Sequence, residues 1–192
     1  KKQGRMYVAD VPEFNGRPLE FRQLWVNGRK ADRARDVADF EKMYRIRNID
    51  KKNEILYVPA AAVKKILGER HAEMVIHEMW CVANLRIKGI KVQGDSAAVT
   101  FHQPESHIHF MHPWPSPMVT KDGHNSAFYL TNAKSLLDTP GEWYLDAKEQ
   151  KVYYIPRKGE DMAKADVEAP AVETLMKIEG TPDAPVKGIT IE

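Results

Sequence analysis

The stretch running from Pro140 to Met162, PGEWYLDAKEQKVYYIPRKGEDM, decides the fold class. Residues 142–146 and 151–155 are two short runs rich in Trp, Tyr, Val and Ile, separated by a polar Ala-Lys-Glu-Gln connection, which is how a β-hairpin is written. Pro140-Gly141 opens the unit. Pro156 closes it, because proline cannot donate to a strand ladder and so sits where the second strand leaves its sheet or runs along the edge. Alternate positions of each strand point to opposite faces, so Trp143, Tyr144, Tyr153 and Tyr154 are expected to build an aromatic core and its rim.

Working outward, Phe21-Arg22-Gln23-Leu24-Trp25-Val26 is followed by Asn27-Gly28 and then residues 29–35. Asn-Gly readily takes the two positive φ angles of a type I′ turn, so a second hairpin is expected here. Further strand runs fall at residues 5–11, 43–49, 54–58, 73–80, 85–92 and 97–101, with Gly94-Asp95 as a turn. Residues 166–169, 174–178 and 186–191 read as later strands between Pro170, Gly180, Pro182 and Pro185. Residues 60–67 are the one helical stretch, with Val63, Ile66 and Leu67 on one side and Gly68 as the stop. The sum is about a dozen turn-separated strands. That pattern predicts an all-β fold, an antiparallel β-sandwich with one short helix.

Residues 103–125 break the pattern. Four prolines, four histidines and Trp114 crowd a stretch with little periodicity, which predicts a long Pro/His/Trp loop of the kind that carries function.

Composition narrows the function classes. In 192 residues, 29 Lys and Arg face 27 Asp and Glu, so a net charge of +2 gives no whole-protein field toward nucleic acid or membrane. Neither nucleic-acid binding nor membrane insertion is expected, since the longest apolar runs fall well short of the roughly 18 residues a membrane helix needs. The single Cys81 cannot form a disulfide within the chain.

Several motifs in combination carry a family resemblance. Tyr7-Val8-Ala9-Asp10-Val11-Pro12, residues 21–29 (FRQLWVNGR), residues 136–146 (LLDTPGEWYLD), Tyr153-Tyr154-Ile155-Pro156, Gly159-Glu160-Asp161-Met162 and Pro185-Val186-Lys187-Gly188-Ile189-Thr190 resemble the β-sandwich inserted into right-handed parallel β-helix glycoside hydrolases. The likeness is greatest to glycoside hydrolase family 141, with the family 120 β-xylosidases sharing the architecture. It implies a connection from a preceding β-helix over residues 1–12, the sandwich over 13–180, and the first strand of a following β-helix coil over 181–192. It also implies a larger bacterial enzyme, periplasmic or extracellular, acting on a carbohydrate substrate, with the β-helix of the same polypeptide as partner. That family's catalytic carboxylates are thought to lie on the β-helix, so no nucleophile or acid/base residue is carried onto this chain. Gln150 departs from the glycine that relatives often place before the second hairpin strand, where a positive φ would strain any side chain with a β-carbon.

The candidate substrate-binding residues are Trp114, His109, His107, His112, His77 and Trp80. An indole offers a flat apolar face to a pyranose ring, and Pro113, Pro115 and Pro117 would hold Trp114 outward, although burial as a loop anchor is as good a reading. His107 and His109 are two apart, so on an extended segment both would face one side. With His102, His112 and Glu105 they form the densest set of possible ligands, but no motif such as HExxH or CxxC accompanies them, and no metal or cofactor is expected. On a strand over 73–80, Trp80 would share the face of Glu78. Glu78, Glu105 and Glu142 read as structural carboxylates. Arg29, Arg33 and Arg35 on one strand face could grip a uronate, or simply form a solvated edge paired with Asp32 and Asp36. Two functional readings stand: an accessory domain that walls the substrate cleft, or a non-catalytic carbohydrate-binding or purely structural module.

Overall fold

The structure is a computed structural model that describes all residues except Trp114, Glu173 and Glu192. The predicted hairpin is its central wall. Glu142–Asp146 pairs antiparallel with Lys151–Tyr154, Trp143 opposite Tyr154 and Tyr144 opposite Tyr153. Both faces are buried. Tyr144 and Tyr153 join the main core, whereas Trp143, Leu145 and Tyr154 turn the other way into a second cluster with Val11, Phe21, Leu24, Val26 and Ala31. Trp143 is 0% exposed and stacks on Phe21 with ring centroids 5.2 Å apart. The connecting loop is held by Asp146, whose Oδ1 accepts the N–H groups of Lys148 and Glu149, and by Gln150, which does take a positive φ of 52°. The strain foreseen for Gln150 is therefore present.

This hairpin sits in a five-stranded sheet ordered Lys2–Gln3, Met6–Asp10, Lys151–Tyr154, Glu142–Asp146, Asp32–Arg33. All neighbours are antiparallel except the last two, which run parallel. Residues 1–12, read as a connection, thus supply a strand that pairs with the hairpin, Tyr7 opposite Tyr154.

Packed against it is an antiparallel seven-stranded sheet, ordered Tyr44–Arg45, Ala127–Thr131, Glu73–His77, Val82–Gln93, Ser96–Phe101, Ile55–Pro59, Asn48–Asp50. Its long strand shows the period of two that a half-buried strand requires: Ala83, Leu85 and Ile87 are buried while their neighbours are not. Gly94 and Asp95 make the expected turn into the next strand. Residues 44–50 bridge both edges of this sheet, since the Ile46 N–H donates to the Ser126 carbonyl and the Arg47 N–H to the Tyr57 carbonyl. The sheet therefore curls around its apolar interior. A three-stranded sheet of Val167–Glu168, Trp25–Val26 and Arg29–Lys30 covers the far side of the hairpin wall. Asn27 and Gly28 have φ of 52° and 70°, the type I′ pair that the sequence demanded.

The fold is all-β, as expected, and four local readings are corrected. Residues 29–35 are not one strand: they divide into Arg29–Lys30 and Asp32–Arg33, because buried Ala31 turns into the second cluster between them. Helix α1 (Ala60–Val63) continues only as the 3-10 turn Lys64–Ile66 before Gly68 at φ +90°. Within the expected loop, Glu105–Met111 is a second helix, α2. Residues 174–178 and 186–191 carry no strand among the described residues, for a strand needs a ladder partner and none of the described strands pairs with them.

Candidate functional site

Helix α2 and the tip of the hairpin between Glu73–His77 and Val82–Gln93 form the most chemically crowded rim of the molecule. The tip is tight. The Glu78 N–H donates to the Cys81 carbonyl at 3.0 Å, leaving Met79 and Trp80 at its apex. Trp80 is 70% exposed there, so it does not lie on a strand with Glu78 as the sequence suggested. Beside it opens a cleft of about 550 Å³ lined in part by Phe40, Arg45, His77, Glu78, Met79 and His124.

Helix α2 is amphipathic in a way the sequence hid. Ser106 and Phe110, one turn apart, are buried, while Ile108 and Met111 face outward. Phe110 packs on Phe101 with centroids 6.1 Å apart. Polar pairs then fix the helix to the sheet. Ser106 Oγ donates to Glu54 Oε2 at 2.6 Å, His107 Nδ1 lies 2.9 Å from Glu54 Oε1, and Arg86 grips Glu105 with both nitrogens at 2.5 and 3.1 Å. At the helix's other end His109 Nδ1 lies 3.3 Å from Glu78 Oε2.

These contacts settle where the candidate residues stand. On a helix, positions two apart diverge by about 200°, so His107 and His109 cannot face one side and instead engage different carboxylates. His112 caps the helix, its N–H donating to the Ile108 carbonyl. His77 ends its strand with its ring edge-on to Phe40 at 5.2 Å, and burial with Arg45 nearby holds its imidazole below the usual histidine range. Trp114 lies outside the described residues. The structure thus gathers His77, Trp80, Glu78 and His109 at one rim and sends His107 elsewhere.

The residue that sequence reasoning missed is Cys81. Its thiol lies 3.1 Å from Glu78 Oε2, and burial, with Glu78 beside it, pushes the thiol up to about 11. Glu78, Cys81 and His109 each present a ligand atom within 4.8 Å of the others. The three-residue spacing of Glu78 and Cys81 across a hairpin tip was the available signal; His109, 31 residues from Glu78, gave none.

The arginines do not form a uronate grip. Arg33 is half-sequestered against Glu73 at 2.9 Å, Arg35 turns to Asp32 at 3.3 Å, and Arg29 belongs to another sheet. Glu73 is almost completely buried and also takes both nitrogens of Arg22 at 3.0 and 2.6 Å. Glu142 is likewise structural: its Oε2 accepts the N–H groups of Asp138 and Thr139, fixing the turn before the central hairpin. Glu54, Glu73, Glu78, Glu105 and Glu142 all have partners inside the domain.

A β-sandwich of this kind, with Glu54, Glu73, Glu105 and Glu142 each held by partners inside the domain, is of the accessory-domain class. The chain belongs to the GH141 insertion domain family, whose model matches residues 4–157. A solved structure titled "Glycoside hydrolase" is similar to it with a TM-score of 0.90 and 63% sequence identity, over 97% of this chain and 32% of that one. The chain therefore spans less than half the length of that relative. No curated protein matches it.

Proposed function

We propose that this domain walls the substrate cleft of a polysaccharide-degrading glycoside hydrolase whose catalytic carboxylates lie outside this chain, on a parallel β-helix of the same polypeptide. The family match carries the reading. Two features support it. The pairing of Tyr7 with Tyr154 brings the two limits of the family match, residues 4 and 157, to the same end of two adjacent strands, as an inserted domain requires. Glu54, Glu73, Glu105 and Glu142 are already held by Arg, Ser or backbone partners, which suits them poorly to paired acid/base work on a glycosidic bond. In this reading residues 1–12 and 181–192 are the junctions with the β-helix, and the protein works in the periplasm or outside the cell. The rim of His77, Trp80 and His109 faces the carbohydrate, and His107, His112 and Trp114 are the other residues that this reading assigns to substrate.

Trp80→Ala in the complete polypeptide tests this. An exposed indole used as a stacking platform is worth about 0.5–1.5 kcal/mol, so kcat/KM on polymeric substrate is expected to fall roughly two- to twelvefold with an unchanged Tm. Unchanged kinetics, together with unchanged kinetics for His77→Ala, would overturn the cleft wall in favour of a structural module.

A further inference from the structure

Glu78 poses a problem that its partners do not solve. Its side chain is 0% exposed and its Oε1 has no hydrogen-bond partner. Its Oε2 faces a thiol at 3.1 Å and an imidazole nitrogen at 3.3 Å. Among the described residues its one ion-pair contact is His109, which is a cation only when protonated. A carboxylate taken out of water with neither a full positive charge nor a donor for its second oxygen is costly, and such arrangements persist where something else supplies the charge.

The donor set says what that is. Glu78 offers an oxygen, His109 a nitrogen and Cys81 a sulfur, all within 4.8 Å of one another. Around a tetrahedral zinc, with bonds of about 2.0–2.3 Å, neighbouring donors stand roughly 3.3–3.8 Å apart, so the two shorter separations here are already near that edge length. Mixed oxygen, nitrogen and sulfur ligation suits a borderline-soft dication better than magnesium or calcium, which take oxygen. We propose that Glu78, Cys81 and His109 bind a zinc ion, three protein ligands leaving a fourth position open toward the rim.

The charges balance. Binding expels the Cys81 thiol proton to water, and a thiolate, a carboxylate and a neutral imidazole then cancel the two positive charges of the metal. The ion ties the hairpin tip to α2, which the sequence leaves 31 residues apart. His107, bonded to Glu54, lies outside the set, so this is a different site from the histidine cluster suggested by sequence. The proposal does not depend on the cleft-wall reading, because a structural zinc would serve a supporting module equally well.

The test is titration of the complete polypeptide with zinc chloride, followed by calorimetry, and with cobalt(II) as a spectroscopic stand-in. A thiolate-to-cobalt charge-transfer band in the near ultraviolet is expected, together with its loss in Cys81→Ser. Zinc affinity should weaken at least about tenfold in Cys81→Ser and in His109→Gln. No zinc binding by the unsubstituted protein, or binding within about twofold of it in both variants, would overturn the site. Circular dichroism checks that each variant is folded; should Cys81→Ser unfold, His109→Gln and Glu78→Gln carry the decision by the same tenfold criterion.

Discussion

The hairpin wall and the α2 rim are held by opposite means. In the wall, Trp143, Tyr144, Tyr153 and Tyr154 pack side by side into two apolar clusters, and polar groups meet them at the tyrosine hydroxyls and the ring faces. The contacts that fix α2 at the rim join residues far apart in the chain: Ser106 and His107 to Glu54, Arg86 to Glu105, His109 to Glu78. Apolar burial is non-directional and tolerant of small shifts, whereas a buried acid is stable only while its particular donors stay in place. The domain therefore keeps its fold in one region and its adjustable chemistry in the other.

The comparison breaks first if the wall is not dominant. Trp143→Ala is expected to cost about 3–5 kcal/mol, read as a lower urea midpoint, because it opens a cavity in the second core cluster. A loss under about 1 kcal/mol would mean that the second cluster contributes little. Next comes the buried ion pair of Arg33 and Glu73. Burial holds the Arg33 guanidinium below its usual range, and Glu73 is the neighbour that opposes this. Glu73→Gln would leave that cation without its counter-charge, with an expected loss of roughly 3 kcal/mol. Equal stability of Glu73→Gln and the unsubstituted protein would show that solvent already serves Arg33.

The smallest effect sharpens the contrast by pH. Hydrogen bonds from Ser106 above all, then from His107 and Gln103, hold the Glu54 carboxyl below the usual 4.5, against the opposing effect of burial. A depressed folded pKa means that the stabilisation is present above 4.5 and is lost as pH falls through the lower folded value. Amide exchange in α2 should thus be slower in the unsubstituted protein than in Glu54→Gln at neutral pH, and the two should converge in acid. Parallel curves across the whole range would remove Glu54 as the clasp of the helix.

What was legible follows the same division. Asn27-Gly28, Gly94-Asp95 and the Glu142–Asp146 and Lys151–Tyr154 strands were readable because turn chemistry and alternation act over a few residues. Helix α2 was not, since His107, His109 and the flanking prolines mask the single useful signal, Ser106 and Phe110 one turn apart. The candidate zinc ligands stayed hidden for another reason: Glu78 and Cys81 look like two ends of a turn until the fold brings His109 over them. The strand readings at 174–178 and 186–191 went too far because propensity describes a willing strand, and a ladder needs a second one.

The register that sets Tyr7 opposite Tyr154 has a consequence for the larger chain around the domain. As an unstructured loop, residues 4–157 would cost the surrounding chain on the order of 4 kcal/mol of closure entropy when the segments on either side came together. Once folded, the same residues span a gap of only about 5 Å between paired strands, and the host experiences them as little more than a tight turn. The order of events then matters more than the size of the insertion: a sandwich that folds early removes itself from the topology of its host, and one that folds late obstructs it.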